Sequence, residues 1–175
     1  MSESAKKSGA VEQAGAAPAA AAAPAPPAPV VPADFEPRIV ALCCHYCAYA
    51  AADLAGGLRL SYPPGVTIVR LPCSGRATPL FILEALLDGA DGVLIAGCRE
   101  GDCHFLTGNL EAKRRVAFAK KLLAEAGVEP ERVAMVNLSS AEGARFAELA
   151  RETSEKVRRL GPNKAKRARA AGAAG

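Results

Sequence analysis

The stretch GVLIAGCREGDC, residues 92–103, decides how the chain is read: a short apolar run of strand length passes into a glycine-bearing loop with a cysteine at each end. Three other runs share its character, IVALC (39–43), VTIVRL (66–71) and VAMVNL (133–138). They are nearly continuous in apolar residues instead of alternating, the pattern of strands covered on both faces. A helical stretch separates each run from the next. The first spans about 48–54 and ends at Gly56-Gly57. The second is announced by Thr78 as N-cap and Pro79 at the first helical position, continues through LFILEALL and stops at Gly89. The third runs from about Asn109 to Ala126, closed by Gly127. The fourth opens on Ser139-Ser140-Ala141-Glu142, a capping box, and keeps Phe146, Leu149, Ala150, Thr153, Val157 and Leu160 on one face. Strand and helix alternating four times predict an α/β fold: a single Rossmann- or flavodoxin-like domain, about four parallel strands with helices on both faces. No GxGxxG or Walker A motif follows any strand, so dinucleotide and nucleoside triphosphate sites of those kinds have no support.

The flanks differ from this core. Residues 1–36 are rich in Ala and Pro, with Pro at 18, 24, 26, 27 and 29 and little side-chain volume to pack; a disordered extension is expected. The predicted cofactor-binding domain occupies 37–155, and 156–175 reads as a basic flexible tail. That tail holds seven basic residues and no acids, which leaves 15 basic against 18 acidic residues before it, although the whole chain is +4. The basicity is a property of one end, and no nucleic-acid partner is expected. There is no secretory signal pattern and no apolar run of membrane-spanning length, so no membrane insertion and a cytoplasmic location are expected. In a reducing compartment clustered cysteines are metal ligands or redox thiols more often than disulfides.

All six cysteines fall between positions 43 and 103. Cys43, Cys44 and Cys47 follow the first strand, Cys73 the second, and Cys98 and Cys103 the third. In a parallel sheet these loops emerge at one carboxyl edge, where open α/β sheets place ligands. Three chemistries suit such a patch. A zinc site takes four thiolates, but only Cys44-His45-Tyr46-Cys47 has knuckle spacing. Thiol–disulfide exchange needs one C-x2-C at a helix start and leaves Cys73, Cys98 and Cys103 without work. A [2Fe–2S] cluster takes four thiolates from several loops, and both C-x2-C and C-x4-C spacings are familiar there. No general-base pair or substrate pocket is legible, so a catalytic site of the chain's own is not expected.

The stretches CCHYCAYAAADLAG (43–56), PCSGR (72–76), GADGVLIAGCREGDCHF (89–105) and GNLEAKRRV (108–116), in this order, resemble the delta, iron–sulfur subunit of methyl-viologen-reducing hydrogenase. The resemblance covers roughly residues 38–150 and neither extension. It implies a small protein with one [2Fe–2S] cluster that relays electrons to the flavin-containing A subunit of heterodisulfide reductase-like complexes. The donor would be a hydrogenase, a formate dehydrogenase or an NADH-oxidising module. It also implies that Cys44, Cys47, Cys73, Cys98 and Cys103 are the recurring cysteines, five candidates for four ligand positions, with Cys43 a packing residue. A structural zinc-binding scaffold protein within a redox complex is the alternative. The family commonly has Asn-Trp where this chain has His45-Tyr46, and His-Pro where it has Arg99-Glu100. These departures keep the cysteines and change their surroundings.

Two side chains are expected close to the cluster without binding it. Arg76, three residues past Cys73, would stabilise a negatively charged group, and His104 would hydrogen-bond to it. A Rieske-type centre with His45 as ligand is disfavoured, since adjacent residues of a strand face opposite ways. Lys113-Arg114-Arg115 reads first as an exposed basic face.

Overall fold

The structure, a computed structural model, describes residues 31–166. Four strands alternate with four helices: β1 (Ile39–Cys44), α1 (Ala48–Gly57), β2 (Val66–Leu71), α2 (Pro79–Leu87), β3 (Gly92–Cys98), α3 (Gly108–Glu125), β4 (Val133–Leu138) and α4 (Gly143–Leu160). The strands form one sheet in the order β2-β1-β3-β4, every neighbouring pair parallel. This is the expected α/β architecture.

Alternation along each strand divides the core in two. Ile39, Ala41 and Cys43 of β1 join Leu94 and Ala96 of β3 beneath α1 and α4, where Ala51, Ala55, Phe146 and Ala150 complete the layer. Leu42, Val93 and Ile95 face the other way, against Ile82 and Leu86 of α2 and Ala112, Val116 and Ala119 of α3. All seven residues of β3 are buried, which is why that run shows no polar alternation. Alanine on α1 lets α4 approach closely; a Cβ at Gly143 would stand 2.9 Å from the Ala55 nitrogen.

The α2 cap forms as expected, with Thr78 Oγ1 accepting the Phe81 N–H at 3.2 Å. The start of α4 is corrected. The helix begins at Gly143, not at the Ser139 box, and Glu142 is its cap residue. Only the return half of the box exists: the Glu142 carboxylate accepts the Ser139 N–H at 2.6 Å, and it also pairs with Arg99 at 2.6 Å. Held by those two donors, Glu142 fixes the turn that precedes the helix.

The boundary expected between 155 and 156 also moves. It falls inside α4, where Val157 is buried, and the described chain stays anchored beyond the helix end. Asn163 is fully buried; its N–H meets Asp91 Oδ1 at 3.1 Å and its side-chain amide donates to Leu86 O and Ala90 O. The fully buried Arg132 guanidinium donates to Asp91 O and Gly161 O at 3.1 and 2.9 Å, more weakly to Leu160 O and Pro162 O, and pairs with Glu129. It thus satisfies carbonyls that the end of α4 leaves without a helical partner. Residues 1–30 and 167–175, which include most of the Ala/Pro extension and the end of the basic tail, lie outside the described residues. Among the described residues no helix is long and apolar enough to cross a membrane.

Replacing Arg132 strands several buried acceptors at once. Arg132→Ala is expected to destabilise the folded chain by about 3 kcal/mol, read as a lower urea midpoint at unchanged slope.

Candidate metal centre

The strand order decides where sulfur collects. β1 and β3 lie side by side, but the sheet grows from β1 toward β2 and from β3 toward β4. A crevice therefore opens at the carboxyl ends of the two central strands, the topological switch point of the sheet. Cys44 is the last residue of β1 and Cys98 the last of β3, and their Sγ atoms stand 3.7 Å apart. Cys47, which caps α1 one short turn after β1, brings a third sulfur; the three lie within 4.8 Å of one another and all are buried.

Two more thiols meet beside this group. Cys73 leads into a one-turn 3-10 helix (Ser74–Arg76), whose Gly75 N–H donates to its sulfur at 3.4 Å. Cys103 arrives from the loop after β3 and interacts with Cys73, and Cys73 also feels the charge of Cys44. Both sulfurs sit against Gly108, the first residue of α3. A Cβ there would overlap the Cys73 sulfur and lie 3.3 Å from that of Cys103. Gly75 and Gly108 also need each other's smallness, since a Cβ on Gly75 would stand 2.9 Å from Gly108 O. Arg115 of α3 donates to Gly75 O and so ties the two backbones together. Thus Cys98 and Cys103, neighbours in one loop, join different groups of sulfurs.

The electrostatics are those of crowded thiols short of positive charge. Hydrogen bonding from Cys47 lowers the Cys44 thiol to about 5 against the opposing effect of burial, helped by main-chain N–H groups of Tyr46 and Ser74 and by Cys98. Cys47 is pushed up in turn, by its bond to Cys44 and by burial. Burial also raises Cys73 and Cys98, the latter with the His104 N–H acting the other way. Cys43, buried under α1 and α4, is pushed up to about 12, chiefly by burial. Several thiolates coexist here only if a cation holds them. An all-sulfur donor set selects zinc or iron–sulfur chemistry over hard cations. Room left by Gly108 and main-chain N–H groups aimed at the sulfurs suit the same purpose.

The other expected residues take varied places. Arg76 is exposed and lines a shallow depression with Leu80, Phe81 and Glu84; among the described residues its guanidinium makes no bond to a sulfur. His104 is exposed and stacks on Tyr46 with ring centres 3.9 Å apart, so it is its main chain that reaches Cys98. His45 is exposed beside Tyr46 in the turn that follows β1, while Cys44, the last residue of that strand, is buried. The basic face on α3 is not uniform: Lys113 pairs with Glu100 and Arg114 with Glu111, whereas Arg115 turns inward. Tyr46 supplies the surface on which His104 stacks, and Arg99 and Glu100 fasten the cysteine loop to α4 and α3.

Three residues of the site carry no mark in the sequence of the role they play. Buried Asn109 donates through its side-chain amide to Cys98 O at 3.1 Å and Arg99 O at 2.8 Å, and Asn137 at the end of β4 also donates to Cys98 O. Gly108 is the third. The pair Gly108-Asn109 reads in sequence as an ordinary helix start, and nothing in periodicity marks a glycine needed for space.

A family model described as methyl-viologen-reducing hydrogenase, delta subunit, matches residues 39–161. The chain is similar to the F420-non-reducing hydrogenase iron-sulfur subunit of Archaeoglobus profundus, 53% identical over 134 residues, or 77% of this chain and 98% of that protein. It is 49% identical over 127 residues to the vhu iron-sulfur subunit of the F420-non-reducing hydrogenase of Methanopyrus kandleri, covering 73% of this chain and 96% of the relative. A third relative is far longer. It is the A subunit of the ferredoxin/F(420)H(2)-dependent CoB-CoM heterodisulfide reductase of Methanosarcina acetivorans, matched at 44% over 126 residues, 72% of this chain but 16% of that one.

The close fit at Gly108 makes a sharp test. Gly108→Ala is expected to reduce metal bound per chain severalfold by elemental analysis, although alanine favours a helix more than glycine does. Gly56→Ala, where an added Cβ meets nothing within 4 Å, is the control and should bind as the unaltered chain does.

Proposed function

We propose that this chain, which belongs to the methyl-viologen-reducing hydrogenase delta-subunit family, is an electron-transfer protein that holds one [2Fe–2S] cluster on four of the five thiols of Cys44, Cys47, Cys73, Cys98 and Cys103. One observation carries the reading: thiols from three separate strand ends, far apart in sequence, converge in buried positions at the switch point of the sheet. A group of that kind supplies reversible one-electron transfer. The chain's own part is to hold and tune it. The Tyr46 and Ser74 N–H groups act on Cys44, that of Gly75 on Cys73 and that of His104 on Cys98, and each stabilises negative charge on sulfur. Burial of every cysteine keeps water from the same atoms.

What surrounds the sulfurs supports the docking of a partner at this rim. Tyr46, His104, Phe105 and Leu106 are exposed at this rim, with Phe105 edge-on to Tyr46, and give a partner an aromatic surface close to the thiols. In the Methanosarcina relatives the matched region is a small part of a protein named as the A subunit of a heterodisulfide reductase. We read the present chain as docking to such a flavin-containing protein and passing it electrons from a hydrogenase, a formate dehydrogenase or an NADH-oxidising module. Arg76, exposed one turn past Cys73, and His104, stacked at the rim, are proposed to tune the site's charge and hydrogen bonding.

A structural zinc site is the second reading, favoured by one feature: three sulfurs within 4.8 Å suit a single tetrahedral ion. Metal analysis separates the two. Purified without oxygen, the chain should be brown, carry two iron and two acid-labile sulfide, bleach reversibly with dithionite and give a paramagnetic signal when reduced. Stoichiometric zinc without sulfide would establish the scaffold instead.

A further inference from the structure

We infer, resting on the reading above, that the cluster ligands are Cys44, Cys98, Cys73 and Cys103, and that Cys47 is a fifth thiol packed against the ligand sulfurs without binding iron. Each iron of a [2Fe–2S] cluster is tetrahedral and shares two sulfides with the other, which leaves two positions for protein thiolates. With metal–sulfur bonds of about 2.3 Å, two thiolates on one tetrahedral iron stand about 3.8 Å apart. Thiolates on different irons are separated further, by roughly 5 Å or more, because the iron–iron spacing is added.

The Cys44 and Cys98 sulfurs, 3.7 Å apart, have the spacing of two ligands on one iron. Cys47 lies within 4.8 Å of both, too near either for a ligand of the other iron, and an iron that holds Cys44 and Cys98 has no position left. Cys73 and Cys103, together at Gly108, supply the second pair.

The choice among the three crowded sulfurs falls on Cys47 for a further reason. The Gly75 N–H donates to the Cys73 sulfur at 3.4 Å, and main-chain N–H groups of Tyr46 and Ser74 act on Cys44 and that of His104 on Cys98. Such donors stabilise a thiolate that carries metal. The Cys47 sulfur, at the N-cap position of α1, makes no capping bond to the N–H groups of that helix, and its partners are the side chains of Cys44 and Cys98. The backbone agrees. Cys44 and Cys98 end paired strands, and the Cys98 carbonyl is gripped by Asn109 and Asn137, while Cys47 sits in the turn that opens α1. The C-x2-C spacing, which by itself suggests two ligands to one metal, is therefore divided between a ligand and a neighbour.

The full chain and its Cys47→Ala and Cys47→Ser variants, purified together without oxygen, decide this. Both variants are expected to hold two iron and two sulfide per chain, with the absorption bands and reduced-state paramagnetic g-values of a cluster bound by four thiolates. Loss of more than half the iron in a folded Cys47→Ala chain, judged by circular dichroism, would overturn the assignment. So would bands of Cys47→Ser displaced to shorter wavelength, the mark of a serine oxygen on iron. The serine variant, nearly isosteric, decides alone if the alanine variant does not fold. An unaltered chain without sulfide defeats the underlying reading; an unaltered chain with a full cluster beside a depleted variant defeats only the ligand assignment.

Discussion

The site depends on the parallel pairing of β1 with β3. Backbone hydrogen bonds set that register, with Cys43 opposite Ala96, and so deliver Cys44 and Cys98 to one crevice with their sulfurs 3.7 Å apart. No side-chain attraction between neutral thiols is strong enough to do this. The pairing is stabilised by two apolar layers, one on each face of the sheet. A shift of one residue would exchange the faces of every side chain on a strand and bury the wrong set, which is why the register withstands the crowding at its end.

Around that fixed pair the remaining thiols are placed by close backbone contacts. Gly75 and Gly108 touch where neither tolerates a Cβ, Arg115 holds the Gly75 carbonyl, and Asn109 and Asn137 converge on the Cys98 carbonyl. The ion pairs Arg99–Glu142 and Glu100–Lys113 fasten the same loop from outside, but both are largely exposed and add less than the buried amides. Rigid support from buried polar groups matters most where atoms of like charge must be held close together.

Buried thiols held this close shift one another's acidity. Burial raises the pKa of Cys73 and Cys98, Cys47 is driven upward by its bond to Cys44, and the same bond lowers Cys44 to about 5. A bound positive centre changes the sign of these interactions, and folding and metal binding become linked. The far end of the sheet has no part in this. There Arg132 and Asn163 gather the end of α4, the α2–β3 turn and the start of β4 into one buried polar network. The buried polar network thus lies at the amino edge of the sheet and the thiols at the carboxyl edge.

Four nearly unbroken apolar runs and four helical stretches determined the α/β class, because periodicity and capping are local properties of the chain. The same runs placed cysteines after three strands, and parallel strands put such loops on one edge. The Thr78 cap was legible for the same reason. What local pattern could not decide was anything that depends on contact between distant segments. The start of α4 moved because Glu142 is engaged by Arg99 from another loop. Local pattern does not show the roles of Gly108 and Asn137, since their value lies in what stands opposite them in space. The division of the sulfurs into a group of three and a pair is likewise tertiary: Cys98 and Cys103 are five residues apart, yet the turn between them sends their side chains to different neighbours.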